Sequence, residues 1–283
     1  MRICITGSEG MLGFDLAKRL RRKYEVIGVD IDDFDIVHDN FADFLLKNKP
    51  DFLFHLAAYT NVDGAEEEKR NAYDVNVLGT RNVVTACRVL DIPLVFLSTD
   101  YVFDGRKKGS YEVYDEANPI NFYGVTKREA EKIVTNTLRK FFLVRTSWLF
   151  GSNGKNFVKT ILSLSRERES IDVVDDQRGS PTYTKDLALS LEYFIPSERY
   201  GVYHITNSGV CTWYDFAKTI LSFIGSNTIV NPVKSESFPR PAKRPRNSVL
   251  KNKEFEEIFG HTMPSWNNAV RRYLTAEGVL GEQ

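Results

Sequence analysis

Apolar residues recur along this chain in two alternating rhythms, and the alternation predicts the architecture. Arg2–Thr6 is a short, nearly continuous apolar run that reads as a strand; Met11–Arg22 follows with Leu12, Leu16 and Leu20 at helical spacing. Glu25–Val29 and Phe52–Leu56 read as further strands, Asn71–Leu90 as a long helix, and Pro93–Leu97 as a strand ending at Ser98. Tyr123–Leu138 is helical again and Phe141–Arg145 is the next strand. Strands separated by helices need crossover connections, so the prediction is an α/β chain with a doubly wound, Rossmann-like parallel sheet.

Beyond about Gly151 the rhythm loosens. Helical spacing returns at Asn156–Arg166, Lys185–Phe194, Trp213–Ile224 and Trp266–Leu274, with strands at Ile171–Val174 and Val202–Ile205 and Pro-rich coil before the last helix. The pattern divides the chain into a dinucleotide-binding domain over 1–150 and a smaller substrate-binding lobe over 151–283, with 200–209 a strand returning to the main sheet. There is no internal repeat and no low-complexity tract.

Composition removes whole classes of function. With Lys+Arg and Asp+Glu balanced at 38 each, no global field draws the chain to nucleic acid or to an acidic membrane. No apolar stretch approaches the roughly 20 residues a membrane helix needs. The N-terminus opens as a strand, without the charged start and long apolar run of a signal peptide, so the expected compartment is the cytoplasm. Cys4, Cys87 and Cys211 fall without close spacing, which predicts buried, reduced thiols. His38, His55, His204 and His261 lack metal-ligand spacing, so no metal is expected, and His55 reads as a packed core residue. The run Glu66-Glu67-Glu68 reads as a solvated helix start.

Candidate chemistry begins at the first turn. Gly7-Ser-Glu-Gly10-Met-Leu-Gly13 lies between a strand and a helix, where glycines let the backbone approach a pyrophosphate and the helix N-terminus offers N–H groups to it. Its spacing resembles that of the short-chain dehydrogenase/reductase superfamily. Asp30 closes the second strand; a carboxylate there accepts hydrogen bonds from ribose hydroxyls and repels the extra phosphate of NADPH. With Asp32 and Asp33 nearby and no arginine at 30–33, NADH is the favoured cofactor and NADPH the alternative. Ala57-Ala58-Tyr59 follows the third strand, where small residues let the backbone pass close to the adenosine.

Tyr123 and Lys127 stand four apart on one helix face. A free phenol titrates near 10, and bringing it down by roughly 3 units takes about 4 kcal/mol. A nearby Lys127 ammonium in a partly dry site is expected to supply that. Thr99, at the end of a strand, offers a second hydroxyl to polarise the same carbonyl oxygen. Together with the glycine turn, these residues describe a hydride-transfer site.

Five segments, Ser98-Thr-Asp-Tyr-Val-Phe-Asp-Gly105, Tyr123-Gly-Val-Thr-Lys127, Arg145-Thr-Ser-Trp-Leu-Phe-Gly151, Asp176-Gln-Arg-Gly-Ser-Pro-Thr182 and Arg244-Pro-Arg-Asn-Ser248, resemble the dTDP-4-dehydrorhamnose reductase family, in order and over nearly the whole chain. The resemblance implies reduction of the 4-keto group of dTDP-4-dehydro-L-rhamnose to dTDP-L-rhamnose. It implies Thr99, Tyr123 and Lys127 as catalytic residues and Thr99, Asp100 and Trp148 as contacts to the sugar nucleotide. It also implies Gly10, Met11, Leu12, Asp30, Ala57, Ala58, Tyr59, Tyr123 and Lys127 as cofactor contacts, and leaves a homodimer open. Arg240, Lys243, Arg244 and Arg246, set among Pro239, Pro241 and Pro245, read either as surface or as a diphosphate clamp. Three rivals remain. A 4,6-dehydratase needs an Asp-Glu pair where this chain has Asp100-Tyr101. Epimerases resemble this chain less around Trp148 and 176–182. A non-catalytic regulatory subunit, like that of methionine adenosyltransferase, shares much of the pattern but not the aromatic residue at 148.

Overall fold

The computed structural model describes residues 1–281. Strand β1 (Arg2–Thr6) is buried over its last four residues, and it is hydrogen-bonded on both sides. On one side lies β2 (Glu25–Val29), reached through helix α1 (Met11–Leu20). On the other lies β3 (Phe52–His55), reached through α2 (Phe41–Asn48). Helices α3 (Gly64–Glu67), α4 (Lys69–Tyr73) and α5 (Thr80–Leu90) lead to β4 (Leu94–Thr99). Then α6 (Phe122–Thr137) leads to β5 (Phe141–Thr146).

The second half adds β6 (Leu149–Phe150), α7 (Phe157–Glu167), β7 (Ser170–Val174), β8 (Arg178–Gly179), β9 (Thr182–Tyr183), α8 (Thr184–Glu192) and β10 (Gly201–His204). It ends with β11 (Cys211–Thr212), α9 (Trp213–Phe223), β12 (Ile229–Val233), α10 (Lys253–Phe259) and α11 (Trp266–Ala276). The main sheet is six parallel strands in the order β2-β1-β3-β4-β5-β10. At its far edge β10 pairs in parallel with β5, from Gly201 beside Phe142 to His204 beside Arg145. Because the order reverses between β1 and β3, their C-terminal ends open a crevice there, the usual ligand position in such sheets.

Strand alternation explains the two cores. Ile3 and Ile5 of β1, Val95 of β4, and Phe142 and Val144 of β5 face one side, against Leu12, Leu16 and Leu20 of α1 and Leu187 and Leu191 of α8. Cys4, Leu94, Phe96 and Leu143 face the other, against Phe41, Leu45, Val83, Cys87 and Val134. Phe150, Tyr183, Phe216 and Tyr273 centre a third cluster in the second half. All three cysteines are free and buried, as their spacing predicted.

The expected helix over 71–90 is interrupted. Between α4 and α5 the backbone widens into a π-helical stretch, Asp74–Gly79, an insertion that apolar periodicity does not register. Helix α10 occupies part of the region read as coil, and β12 pairs with β7 although it contains Pro232. A proline is tolerated there because the pair is a two-stranded ribbon with free edges.

Candidate active site

The end of the crevice where a nucleotide is expected is built mainly from backbone. After β1 the chain turns through Gly7, whose φ of +70° and whose distance of 2.7 Å from an added Cβ to the Ala57 nitrogen exclude any side chain. The Gly7 and Ser8 amides both donate to the Val29 carbonyl, at 2.8 and 3.2 Å, tying the turn to β2. Gly10 caps α1 without a side-chain hydrogen bond, so the first helical N–H groups have no side chain to satisfy them. A Cβ on Gly13 would stand 2.0 Å from the Gly7 carbonyl oxygen: this glycine lets the helix sit against its own turn. The Leu12 side chain is core, so the turn from Gly10 to Gly13 can meet a phosphate through backbone N–H groups alone.

A groove of about 410 Å³ runs from this turn, lined by Gly7, Asp30, Ala57, Ala58 and Tyr59 of the expected set. Ile31, Phe34, Val37 and Val75 also line it, apolar walls that spacing does not reveal. Asp30 accepts from the Glu9 amide and from the Ile31 amide, both at 2.9 Å, which fixes its carboxylate at the mouth. Asn76, on the π-helical stretch, exchanges hydrogen bonds with the Tyr59 backbone (2.8 and 3.1 Å) and donates to Thr126 of α6 (2.9 Å). That one side chain joins the cofactor loop to the helix bearing Tyr123. A glycine turn, an uncapped helix start and a narrow groove fit a dinucleotide.

The end that holds the candidate catalytic residues is built on α6 and the ends of β4 and β5. Thr99 pairs in register with Thr146, so the residues after both strands emerge together. Three partners hold the start of α6: Asn121 accepts from the Gly124 amide (2.8 Å), its amide donates to the Lys243 carbonyl (2.8 Å), and Glu66 accepts from the Phe122 amide (2.8 Å). Glu66 is thus engaged with α6 rather than solvated. An added Cβ on Gly124 would lie 2.2 Å from the Tyr101 carbonyl oxygen, which is how the helix approaches the turn after β4 so closely.

Thr99 donates to Asp100 Oδ1 (3.1 Å) and accepts from the Tyr101 amide (3.2 Å). Burial pushes the Tyr123 phenol above its usual range; Thr99 pulls against this, while Asp100 and Tyr101 add to it. Lys127 is not among the groups that shift it, which departs from the sequence expectation. Its Nζ lies over the Phe96 ring at 4.3 Å from the centroid, and burial draws the ammonium down to about 7. His55 is the expected core residue, held by Thr6 (2.7 Å) and Thr80 (3.0 Å) and kept neutral by burial and by Lys127.

Beside Thr99, burial raises the Asp100 carboxyl to about 7 against the pull of Ser248 and Thr99, and its Oδ2 is buried without a hydrogen-bond partner. An orphaned acceptor of this kind is suited to a ligand hydroxyl. Trp148 takes a left-handed backbone (φ +48°) that throws its indole out of the strand direction and onto Trp213, 3.6 Å away at 7°. Gly179 packs against the same indole, where a Cβ would lie 2.5 Å from it. Trp213 went unseen in the sequence because nothing in its helical setting marks it as a neighbour of position 148.

The basic cluster resolves unevenly. Arg244 makes a bidentate pair with Asp63, and Arg240 approaches the same carboxylate at 3.4 Å. Arg246 is exposed, beside Glu236 at 3.5 Å. Arg244 therefore clasps the Pro-rich strap to the segment before α3, a pairing across 181 residues with no local signal. Among the described residues no cluster of metal-ligating side chains occurs, and no helix is long and apolar enough to cross a membrane.

Comparison with known proteins bears on this geometry. The chain matches the family model described as the RmlD substrate binding domain over residues 1–278. It is 38% identical to the dTDP-4-dehydrorhamnose reductase of Aggregatibacter actinomycetemcomitans, across 95% of this chain and 97% of that one. It is 37% identical to the dTDP-4-keto-6-deoxy-D-glucose reductase of Streptomyces niveus, across 95% of each. The crystal structure of dTDP-4-dehydrorhamnose reductase from Bacillus anthracis in complex with NADP is 39% identical and superposes with a TM-score of 0.94, covering 97% of this chain and 99% of that one.

Proposed function

The chain belongs to the RmlD substrate-binding-domain family, and on that premise we propose that Tyr123, Lys127 and Thr99 carry its reaction. The protein is an oxidoreductase that reduces the 4-keto group of dTDP-4-dehydro-L-rhamnose to dTDP-L-rhamnose with a nicotinamide cofactor. When bound, the reduced nicotinamide supplies the hydride to C4. Tyr123 gives its proton to the carbonyl oxygen as it becomes an alkoxide, so the new C–H and O–H bonds account for the two electrons and the proton. A phenol raised by burial is fully protonated at pH 7, as a donor must be. Thr99 orients the carbonyl and is the group that eases ionisation of the phenol, and the Lys127 ammonium holds the nicotinamide ribose.

The observation that carries this reading is that Thr99 and Asp100, hydrogen-bonded at the end of β4, meet the start of α6, where Tyr123 stands one helical turn from buried Lys127. Asp100 Oδ2 takes a sugar hydroxyl, and Trp148, already stacked on Trp213, walls the hexose. Gly10, Met11, Leu12 and Gly13 hold the pyrophosphate through their amides, and Asp30 holds the adenosine ribose. Because Asp30 is fixed at the groove mouth beside further carboxylates, NADH is preferred to NADPH. The test is oxidation of each reduced cofactor with dTDP-4-dehydro-L-rhamnose. Turnover with a higher kcat/KM for NADH, abolished in Lys127→Met, is expected. Unimpaired Lys127→Met refutes the site assignment, and a higher value for NADPH refutes the role of Asp30.

A further inference from the structure

Lys127 is 3% exposed and must work as a cation in a place that disfavours charge. Its surroundings on α6, β3 and β4 are Glu131 one turn on, neutral His55, the Phe96 ring and Tyr123 one turn before. Among the described residues, no group on α3, α4 or α5 shifts it. Glu131 is wholly buried and is the carboxylate that favours the Lys127 charge.

Glu131 is itself held from three directions. Arg145, from β5, meets it in a bidentate pair at 2.8 and 2.9 Å; Ser98, the residue before Thr99, donates to it at 2.7 Å; and Arg128 reaches it at 2.9 Å. Arg145 Nη1 lies 3.3 Å from His204 Nε2, which completes the buried cluster. A bidentate pair plus a hydroxyl fixes where the carboxylate stands and how much negative charge it presents. Tyr123, Lys127 and Glu131 follow one another at four-residue steps, which sets the three along one face of α6.

We propose that Glu131 is a positioning residue that acts through Lys127, keeping it charged beneath the substrate site, and that Arg128 and Arg145 moderate that influence. The proposal rests on the reading that Lys127 works as an ammonium. It makes two variants move in opposite directions. Glu131→Gln keeps the shape but removes the negative charge, so Lys127 loses its proton at lower pH. Arg128→Met, at a side chain 32% exposed, leaves Glu131 less compensated, so Lys127 holds its proton to higher pH.

The readout is the titration of the Lys127 Cε resonance in 13C-lysine-labelled protein, identified by its absence from Lys127→Met, together with the alkaline limb of the pH profile of kcat/KM. The residue-specific signal is needed because Asp100 titrates in the same range. A midpoint lower by roughly one pH unit in Glu131→Gln and higher by roughly half a unit in Arg128→Met is expected. Unmoved midpoints, or two shifts of the same sign, overturn the proposal. If Glu131→Gln does not fold, Arg128→Met decides alone: an upward shift supports the proposal and any other result refutes it. A merely structural role lowers rates without moving midpoints. Should Lys127→Met remain active, the functional reading fails, while the resonance still reports whether Glu131 governs the lysine.

Discussion

The two ends of the active crevice are made differently. At the proposed nucleotide end, between β1 and β3, the shape comes from main chain: a left-handed Gly7, an uncapped α1 and the close approach of Ala57. At the proposed sugar end, beyond β4 and β5, it comes from side chains brought together over long distances in sequence, as with Asp63 and Arg244 or Trp148 and Trp213. Main-chain geometry can serve any dinucleotide, because a phosphate needs only N–H groups in a tight turn. A particular hexose must be recognised by donors, acceptors and an aromatic wall, and those are properties of side chains.

The sharpest way to separate the two ends is to change one and read the other. Tyr123→Phe should lower kcat by roughly 10²–10⁴-fold, the usual range for losing a general acid. NADH affinity, followed by fluorescence titration, should stay nearly constant. A parallel fall in cofactor affinity would show that the two ends are not independent.

Asp100→Asn carries the next largest effect, and it appears in stability. The folded carboxyl is raised to about 7 by burial, above its unfolded value, so the native state binds more protons between those two values. Wild-type stability therefore falls as pH rises through that window, by up to about 4 kcal/mol if the whole shift is realised. The asparagine variant should be more stable to urea at pH 8, with the advantage fading towards pH 4. Its KM for the sugar nucleotide should rise, since the orphaned acceptor has changed. Equal urea midpoints at pH 8 would mean that Asp100 is not strained by its burial.

The smallest of the three belongs to the nucleotide end. Gly7→Ala places a Cβ against the Ala57 nitrogen in a left-handed backbone and should cost about 1–3 kcal/mol of stability. NADH binding should weaken, while kcat at saturating NADH should hold. A loss of kcat instead would mean that the turn also orients the chemistry.

The alternation of apolar runs by itself determined the parallel sheet, because each strand and helix announces its own period locally. It determined β1, β2, the positions of α6 and β5, and the glycine turn, to within a residue or two. Tyr123, Lys127 and Thr99 could be singled out as candidates for the same reason: two share a helix face and the third ends a strand. Only the folded chain decided that Arg145 and Ser98 converge on Glu131, that Arg244 pairs with Asp63, that Glu66 accepts from the start of α6 and that Asn76 bridges the loop after β3 to α6. Backbone preferences act over a few residues and leave a periodic trace in sequence. Ion pairs, stacked rings and desolvation depend on which distant segments meet, and no local period records that.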